Sequence, residues 1–435
     1  MKKSVALETL GCKVNQYESS HLMELLQQAG YESVPFRQVA DVYVVHSCAI
    51  TAKASFQTRQ LLRRAQRLQP EATIVVAGCA AQIEHQRFVE AGLATHILGT
   101  AEKYHLLRWL ETPATLAQPC CAVGDSRSCE PFRVIPVTHM AAARTRAFLK
   151  VQDGCDAFCS YCIVPYSRGA SRSLPLSEAR AQFVRFRDAG YGEVVLSGIH
   201  LGQWGKDLRP GMRLANLLDG LHEYTPAPRL RFSSLETLEW RDGLLHNLAR
   251  WQGICPHFHV PLQSGDEEIL RHMRRPYTPR EYAEVIHELH RLYPRAALGA
   301  DVLAGFPGET DRHFRNTLEL IQSLPLSYLH VFPYSPRPGT EAGDWRGRTT
   351  GGELKRRTKA LRDLGLQKQM EFHQRFLQQT VEVLVENQVK GQVGWYQGIT
   401  DNYLKVAFPA AGPLTAGSRV WVRIHKASAN GLIGM

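Results

Sequence analysis

Three cysteines crowd the stretch "GCDAFCSYC": Cys155, Cys159 and Cys162, with three residues in the first gap and two in the second. Thiolates are soft ligands, suited to zinc or to iron–sulfur clusters. A closed structural zinc site asks for four protein ligands, and this loop supplies three. A cubane of four irons on three thiolates leaves one iron open to a substrate, as an open zinc position binds water. The alternative is a zinc ion completed by His257, His259 or Cys255. Zinc sites usually pair two C-x2-C halves, and this segment has only one.

A second thiol set is dispersed along the first hundred residues. Cys12 follows "VALETLG", Cys48 follows "DVYVVHS" and Cys79 follows "TIVVAG". Each preceding run is short, apolar and rich in β-branched residues, so each cysteine stands at the C-terminal end of a predicted strand. In an open parallel sheet those ends face one crevice, and a second three-thiolate site is expected there. Zinc binding and ordinary buried thiols are the alternatives. Cys120, Cys121, Cys129 and Cys255 have no role that spacing reveals.

The elements that must position these groups fall into zones. Residues 1–113 alternate strand and helix, which implies a Rossmann-like parallel sheet. Residues 114–143 scatter Pro, Gly and Ser without a period and read as a linker. Residues 144–371 resume the alternation with six candidate strands: "FLKVQ", "EVVLSG", "LRFSS", "HFHVP", "LGADVLAG" and "YLHVFP". Six such units fit a partial (β/α)6 barrel, with the cysteine loop at its catalytic end. Residues 372–435 show strand alternation broken by Gly turns, the pattern of a small antiparallel β-barrel.

The chain has 435 residues, enough for two or three domains. No apolar run reaches 18 residues, so no membrane association is expected. "MKKSVALETLGC" is interrupted by Glu8 too early for a secretion signal, and a cytoplasmic location is expected. Ten cysteines in such a setting point to metal or chemistry rather than disulfides. The formal charge of +11 favours a polyanionic partner. Arg59, Arg63 and Arg67 lie on one predicted helical stripe. Lys355, Arg356, Arg357, Lys359 and Arg362 crowd a later helix. Trp395, Tyr396 and Tyr403 of the terminal barrel are candidate base-stacking groups. The plain alternatives are a solvated helix face for the arginines and core packing for the aromatics.

C-x3-C-x2-C with Tyr161 before its last cysteine resembles the radical S-adenosylmethionine (SAM) signature. "LGCKVNQYES", "GCAAQ", "GCDAFCSYCIVPYSRG", "HVPLQSGDEEILRHMRRPYT" and "DVLAGFPGET" resemble the motifs of the methylthiotransferase family over essentially the whole chain. The resemblance implies two [4Fe–4S] clusters, one on Cys155, Cys159 and Cys162 that cleaves SAM, the other on Cys12, Cys48 and Cys79 that delivers sulfur. SAM binding is expected near Tyr161 and near Gly198, Gly305 and Gly308, which stand at the C-terminal ends of predicted strands where a backbone can approach a ligand closely, with an ordinary βα turn as the plain alternative for each glycine; the resemblance also implies a C-terminal TRAM domain. "GCKVNQYES" and "LSGIHLGQWG" resemble the branch acting on N6-threonylcarbamoyladenosine at position 37 of tRNA. The isopentenyl-adenosine branch reads nearer "GCQMN" and the ribosomal-protein aspartate branch nearer "GCPKN". Ala170 departs from the family, where a basic residue is frequent. Expected partners are the tRNA anticodon stem-loop and a flavodoxin- or ferredoxin-type electron donor.

Overall fold

The computed structural model describes residues 2–126, 131–140, 145–224 and 228–435; Cys129 lies outside them. The N-terminal sheet has six strands, all parallel. Its central strands Val42–Ser47 and Thr73–Gly78 are buried almost throughout. A strand covered by helices on both faces must be apolar on both, which is why these runs do not alternate. Two apolar clusters, one per face, hold the helices to it. The sixth strand, Cys120–Ala122, falls inside the expected linker. Three residues are too short to show a period, and their edge position is set by pairing with His96–Leu98 rather than by local sequence.

All six strands expected for the second domain are present. Ala147–Lys150, Glu193–Ser197 and Arg229–Phe232 form one parallel group. His257–His259, Ala297–Ala304 and Tyr328–Pro333 form the other. A bridge from Leu230 to Ile254 joins them into a six-stranded partial barrel. The largest apolar cluster of the molecule fills the space between its strands and outer helices. Side-chain caps start several helices, among them Thr278, whose hydroxyl accepts from the Glu281 amide while the Glu281 carboxylate accepts in return.

One 24-residue helix, Gly351–Gln374, crosses the expected boundary at residue 371. Its Leu361 and Leu364 pack in the barrel core, whereas Phe372 and the following Phe376 enter the core of the last domain. That domain is a closed five-stranded barrel. Four of its pairings are antiparallel, and Lys405–Pro409 meets Gly431–Gly434 in parallel. Among the described residues no helix is long and apolar enough to cross a membrane.

Candidate functional site

Cys12 caps the helix Lys13–Gln28, Cys48 follows the strand Val42–Ser47, and Cys79 opens the helix Cys79–Glu90. The three thiols converge. Cys79 and Cys12 both act electrostatically on Cys48, and Cys79 acts on Cys12. Burial pushes the Cys48 thiol up to about 12, and Cys12 is raised for the same reason. Two thiols sit against helix N-termini, whose backbone N–H groups favour negative charge. Gly11 permits the approach: its φ is +98°, and a Cβ there would stand 2.8 Å from Cys48 Cβ.

The second set sits at the C-terminal end of the first barrel strand. Cys155, Cys159 and Cys162 lie on one loop, and Cys159 and Cys155 both act on Cys162, which burial pushes up to about 12. His200 Nδ1 lies 3.5 Å from Cys155 Sγ, and its Nε2 lies 2.7 Å from Glu239. Burial opposes a charge on His200, but these two contacts outweigh it and push it up to about 10. Arg275 donates to Cys159 Sγ at 3.3 Å and is anchored by Glu236. At Gly154 no side chain fits, since a Cβ would stand 1.9 Å from the Ala170 carbonyl oxygen.

The spacing of the thiols bears on the choice between zinc and a cluster. Thiolates on one tetrahedral zinc stand about 3.8 Å apart, given Zn–S bonds near 2.3 Å. Among the described residues no three cysteine thiols lie within 4.8 Å of one another. Neither set, as its thiols stand, is gathered around a single ion. Cys255 does not complete either: it is buried beside Glu193 and Arg231. His257 and His259 face Tyr328 inside the barrel. Burial disfavours the thiolate at Cys12, Cys48 and Cys162, and a bound metal would offset this, since a coordinating thiol is deprotonated outright.

A buried ion network ties the two thiol sets together. Arg168, six residues after Cys162, donates to Asn15 at 2.6 Å, to Glu18 at 3.1 and 3.2 Å and to Asp153 at 2.8 Å. Asn15 and Glu18 belong to the helix that Cys12 caps; Asp153 stands two residues before Cys155. Lys150 donates to Glu18 at 2.7 Å and to Asp153 at 2.6 Å. Lys103 approaches Glu18 at 3.0 Å. Burial disfavours the Glu18 carboxylate, but Arg168, Lys103 and Lys150 overcome this and hold it well below its usual range. His46, 3.5 Å from Glu18, is pushed down to about 3 by burial and by Lys103, and so stays neutral. A further buried contact between the domains is Arg337 on Glu84 and Ser55.

Of the expected SAM-contacting residues, Tyr161 packs edge-on against Phe306 at 6.5 Å, which joins the cysteine loop to the turn carrying Gly305 and Gly308. A Cβ at Gly198 would strike Gln152 and Leu201, and one at Gly305 would strike Leu354; Gly308 faces open space. Packing thus accounts for the first two glycines. Arg63 and Arg67 are exposed as expected, while Arg59 is drawn toward Glu84 at 3.6 Å. Most of the later basic cluster is neutralised. Arg356 and Arg357 pair with Glu353 and Asp311, and Lys359 pairs with Asp363. Tyr403 stacks on His257 rather than on solvent. Trp421, 72% exposed between the exposed Arg419 and Arg423, is the aromatic that sequence reading missed. Strand alternation through "RVWVR" carried that signal.

Residues 4–99 match the model of uncharacterized protein family UPF0004, and residues 149–321 match the radical SAM superfamily. The chain is 36% identical over 98% of its length, and 94% of the relative's, to threonylcarbamoyladenosine tRNA methylthiotransferase MtaB of Bacillus subtilis. It is 35% identical to the Aquifex aeolicus protein of that name, covering 92% of this chain and 96% of the relative. A tRNA-2-methylthio-N(6)-dimethylallyladenosine synthase of Moorella thermoacetica is 32% identical over 98% of this chain and 96% of its own. Among solved structures, the radical SAM methyltransferase TsrM from Kitasatospora setae superposes with a TM-score of 0.56 at 14% identity, covering 79% of this chain and 77% of that one. The likeness to TsrM is one of fold.

Proposed function

The chain belongs to the methylthiotransferase family of radical SAM enzymes, and from that premise we propose how its residues divide the work. Its substrate is N6-threonylcarbamoyladenosine at position 37 of tRNA, and its product is the 2-methylthio derivative, the activity named for its MtaB relatives. The observation that carries the division is that two separate thiol triads are clamped to one another through Arg168, which donates to Asp153 beside one and to Asn15 beside the other.

Cys155, Cys159 and Cys162 hold one [4Fe–4S] cluster and Cys12, Cys48 and Cys79 the other. When bound, the first supplies the electron that opens SAM to a 5′-deoxyadenosyl radical, and the second presents the sulfur to be installed. The chain's own groups do the positioning. His200, held by Glu239, and Arg275, held by Glu236, place positive charge beside Cys155 and Cys159. Tyr161 and the Gly305–Gly308 turn border the place where SAM sits. Arg168 fixes the Cys12 helix against the strand that leads into Cys155, so adenine C2 can face both triads in one pose. The electrons come from a flavodoxin- or ferredoxin-type donor, and the setting is cytoplasmic.

The test uses anaerobically reconstituted enzyme and anticodon stem-loops bearing either threonylcarbamoyl- or dimethylallyl-adenosine. Mass analysis should find methylthiolation of the first only. Replacing Cys12, Cys48 and Cys79 together by Ala should roughly halve the bound iron and keep SAM cleavage, with no methylthio product. Product from the triple variant refutes the division of labour, and turnover of only the dimethylallyl RNA refutes the substrate.

A further inference from the structure

The inner floor of the barrel carries more positive charge than its own carboxylates satisfy. Glu193, fully buried, accepts from Arg229 Nε at 2.6 Å and from Arg231 Nε and Nη2 at 2.7 and 3.0 Å. Arg146 lies 3.9 Å from the same carboxylate and 3.0 Å from Glu386. Glu382 approaches Arg229 at 3.6 Å. Three arginines thus face three carboxylates. Lys13, the residue after Cys12, is the surplus cation. It makes no hydrogen bond or ion pair among the described residues, yet it feels the charges of Tyr403, Arg231, Arg146 and Glu193. Three buried polar atoms of the same floor also lack a hydrogen-bond partner, Arg229 Nη1, Arg231 Nη1 and His257 Nδ1.

The floor is closed from below by the terminal barrel. Tyr403 stacks on His257 with ring centroids 4.4 Å apart, and the guanidinium groups of Arg231 and Arg146 lie 4.9 and 5.5 Å from its ring. Its φ of +69° is costly for a tyrosine, so the surrounding contacts hold it there. The Ile399 and Thr400 carbonyl oxygens accept from Arg229 and Arg231 at 3.2 Å. Burying a polar group without a hydrogen-bond partner is costly, and this floor keeps several. An anion entering it would be met by Lys13 and Arg231 and bounded by a fixed aromatic ring.

We propose that Lys13, with Arg146 and Arg231, forms a subsite for the carboxylate of the amino-acid substituent on adenine N6. This inference rests on the substrate reading above and deepens it. Adenine C2 and N6 lie on one edge of the base, separated by N1 and C6. If C2 faces the Cys12 triad, the N6 substituent lies beside the residue next to Cys12. The chain from N6 to the carboxylate carbon spans roughly 5 Å when extended. A dimethylallyl group has no charge to offer and would leave Lys13 unpaired. The floor therefore selects between two substrates that share the same reacting atom.

The experiment measures binding of the anaerobic, SAM-loaded holoenzyme to three anticodon stem-loops. One carries threonylcarbamoyladenosine, one its threonyl methyl ester and one dimethylallyladenosine. Wild type should bind the acid about tenfold or more tightly than the ester, as expected for a charge-assisted contact. Lys13→Gln should bring the acid-to-ester ratio to within about twofold, and Lys13→Arg should restore it. Iron content and SAM cleavage are followed in each variant. If Lys13→Gln loses iron, Arg146→Gln decides, because it removes a floor cation without touching the Cys12 helix. A ratio preserved in both glutamine variants, or acid and ester weakened equally, overturns the subsite. Turnover of threonylcarbamoyl RNA with no acid preference overturns it while leaving the function intact. Turnover of dimethylallyl RNA alone overturns the function itself.

Discussion

Glu18→Gln tests whether the buried network holds the domains together. Glu18 meets Lys150 at 2.7 Å, Tyr104 at 2.8 Å, Lys103 at 3.0 Å and Arg168 at 3.1 Å. Glutamine keeps the shape and removes the charge. Lys150 and Arg168 retain Asp153, at 2.6 and 2.8 Å. Lys103, 1% exposed, retains no ion-pair partner among the described residues. Stranding one buried charge costs about 3–5 kcal/mol, and that figure is the expected loss at pH 7, read as a lower urea midpoint for the first unfolding transition. The pH dependence is a second signature. Burial already holds the Lys103 ammonium below its ordinary value of 10.5, and Glu18 is the leading group that opposes this. Without Glu18 the folded-state value falls further, so the unfolded chain binds more protons over the interval up to 10.5. Stability then rises with pH in that interval. The deficit of the variant should shrink between pH 7 and 9.5. An unchanged midpoint at pH 7, or a deficit equal at both pH values, refutes the argument. Methylthio product should fall more than SAM cleavage, because the thiol triads lose register with one another while the Cys155 loop keeps Asp153.

Glu193 should govern acid stability at the barrel floor. Burial would raise its carboxyl, but Arg231, Arg229 and Arg146 bring it down to about 2. A depressed carboxylate stabilises above its ordinary value of about 4.5 and loses that stabilisation as pH falls toward 2, here roughly 3 kcal/mol in all. Glu193→Gln should flatten the urea midpoint between pH 5 and 2, and a variant with the same acid slope as wild type rejects this origin. Trp421, exposed between Arg419 and Arg423, should stack an unpaired base. Trp421→Ala should weaken anticodon stem-loop binding by about 1–3 kcal/mol, checked by fluorescence anisotropy at fixed salt, and unchanged affinity removes the strand from the RNA face.

What was legible in the chain follows from the range of the forces involved. A buried parallel strand is a continuous apolar run, so the strands leading to Cys12, Cys48, Cys79 and Cys155 could be found locally, and topology brought their ends together. Cys120–Ala122 could not, because an edge strand of three residues owes its state to a neighbour more than twenty positions earlier. The network fared likewise. Arg168 and Glu18 are 150 positions apart and Lys150 and Glu18 are 132 apart, and an isolated charge in a sequence reads as surface. Tyr403 has two readings in the sequence, base stacking and core packing, and the structure takes the second. An aromatic in a small basic barrel suggests base stacking, yet its backbone turns it inward onto His257. That placement is informative about mechanism. The groups sequence reading assigned to RNA capture or left unassigned, Tyr403, Lys13 and Cys255, surround the barrel floor instead. The enzyme thus separates two tasks that charge composition merges. An outer face of Arg419, Trp421 and Arg423 is open to a polyanion, where salt would screen the contact. An inner floor reads one small charged substituent, where low dielectric makes a single lysine selective.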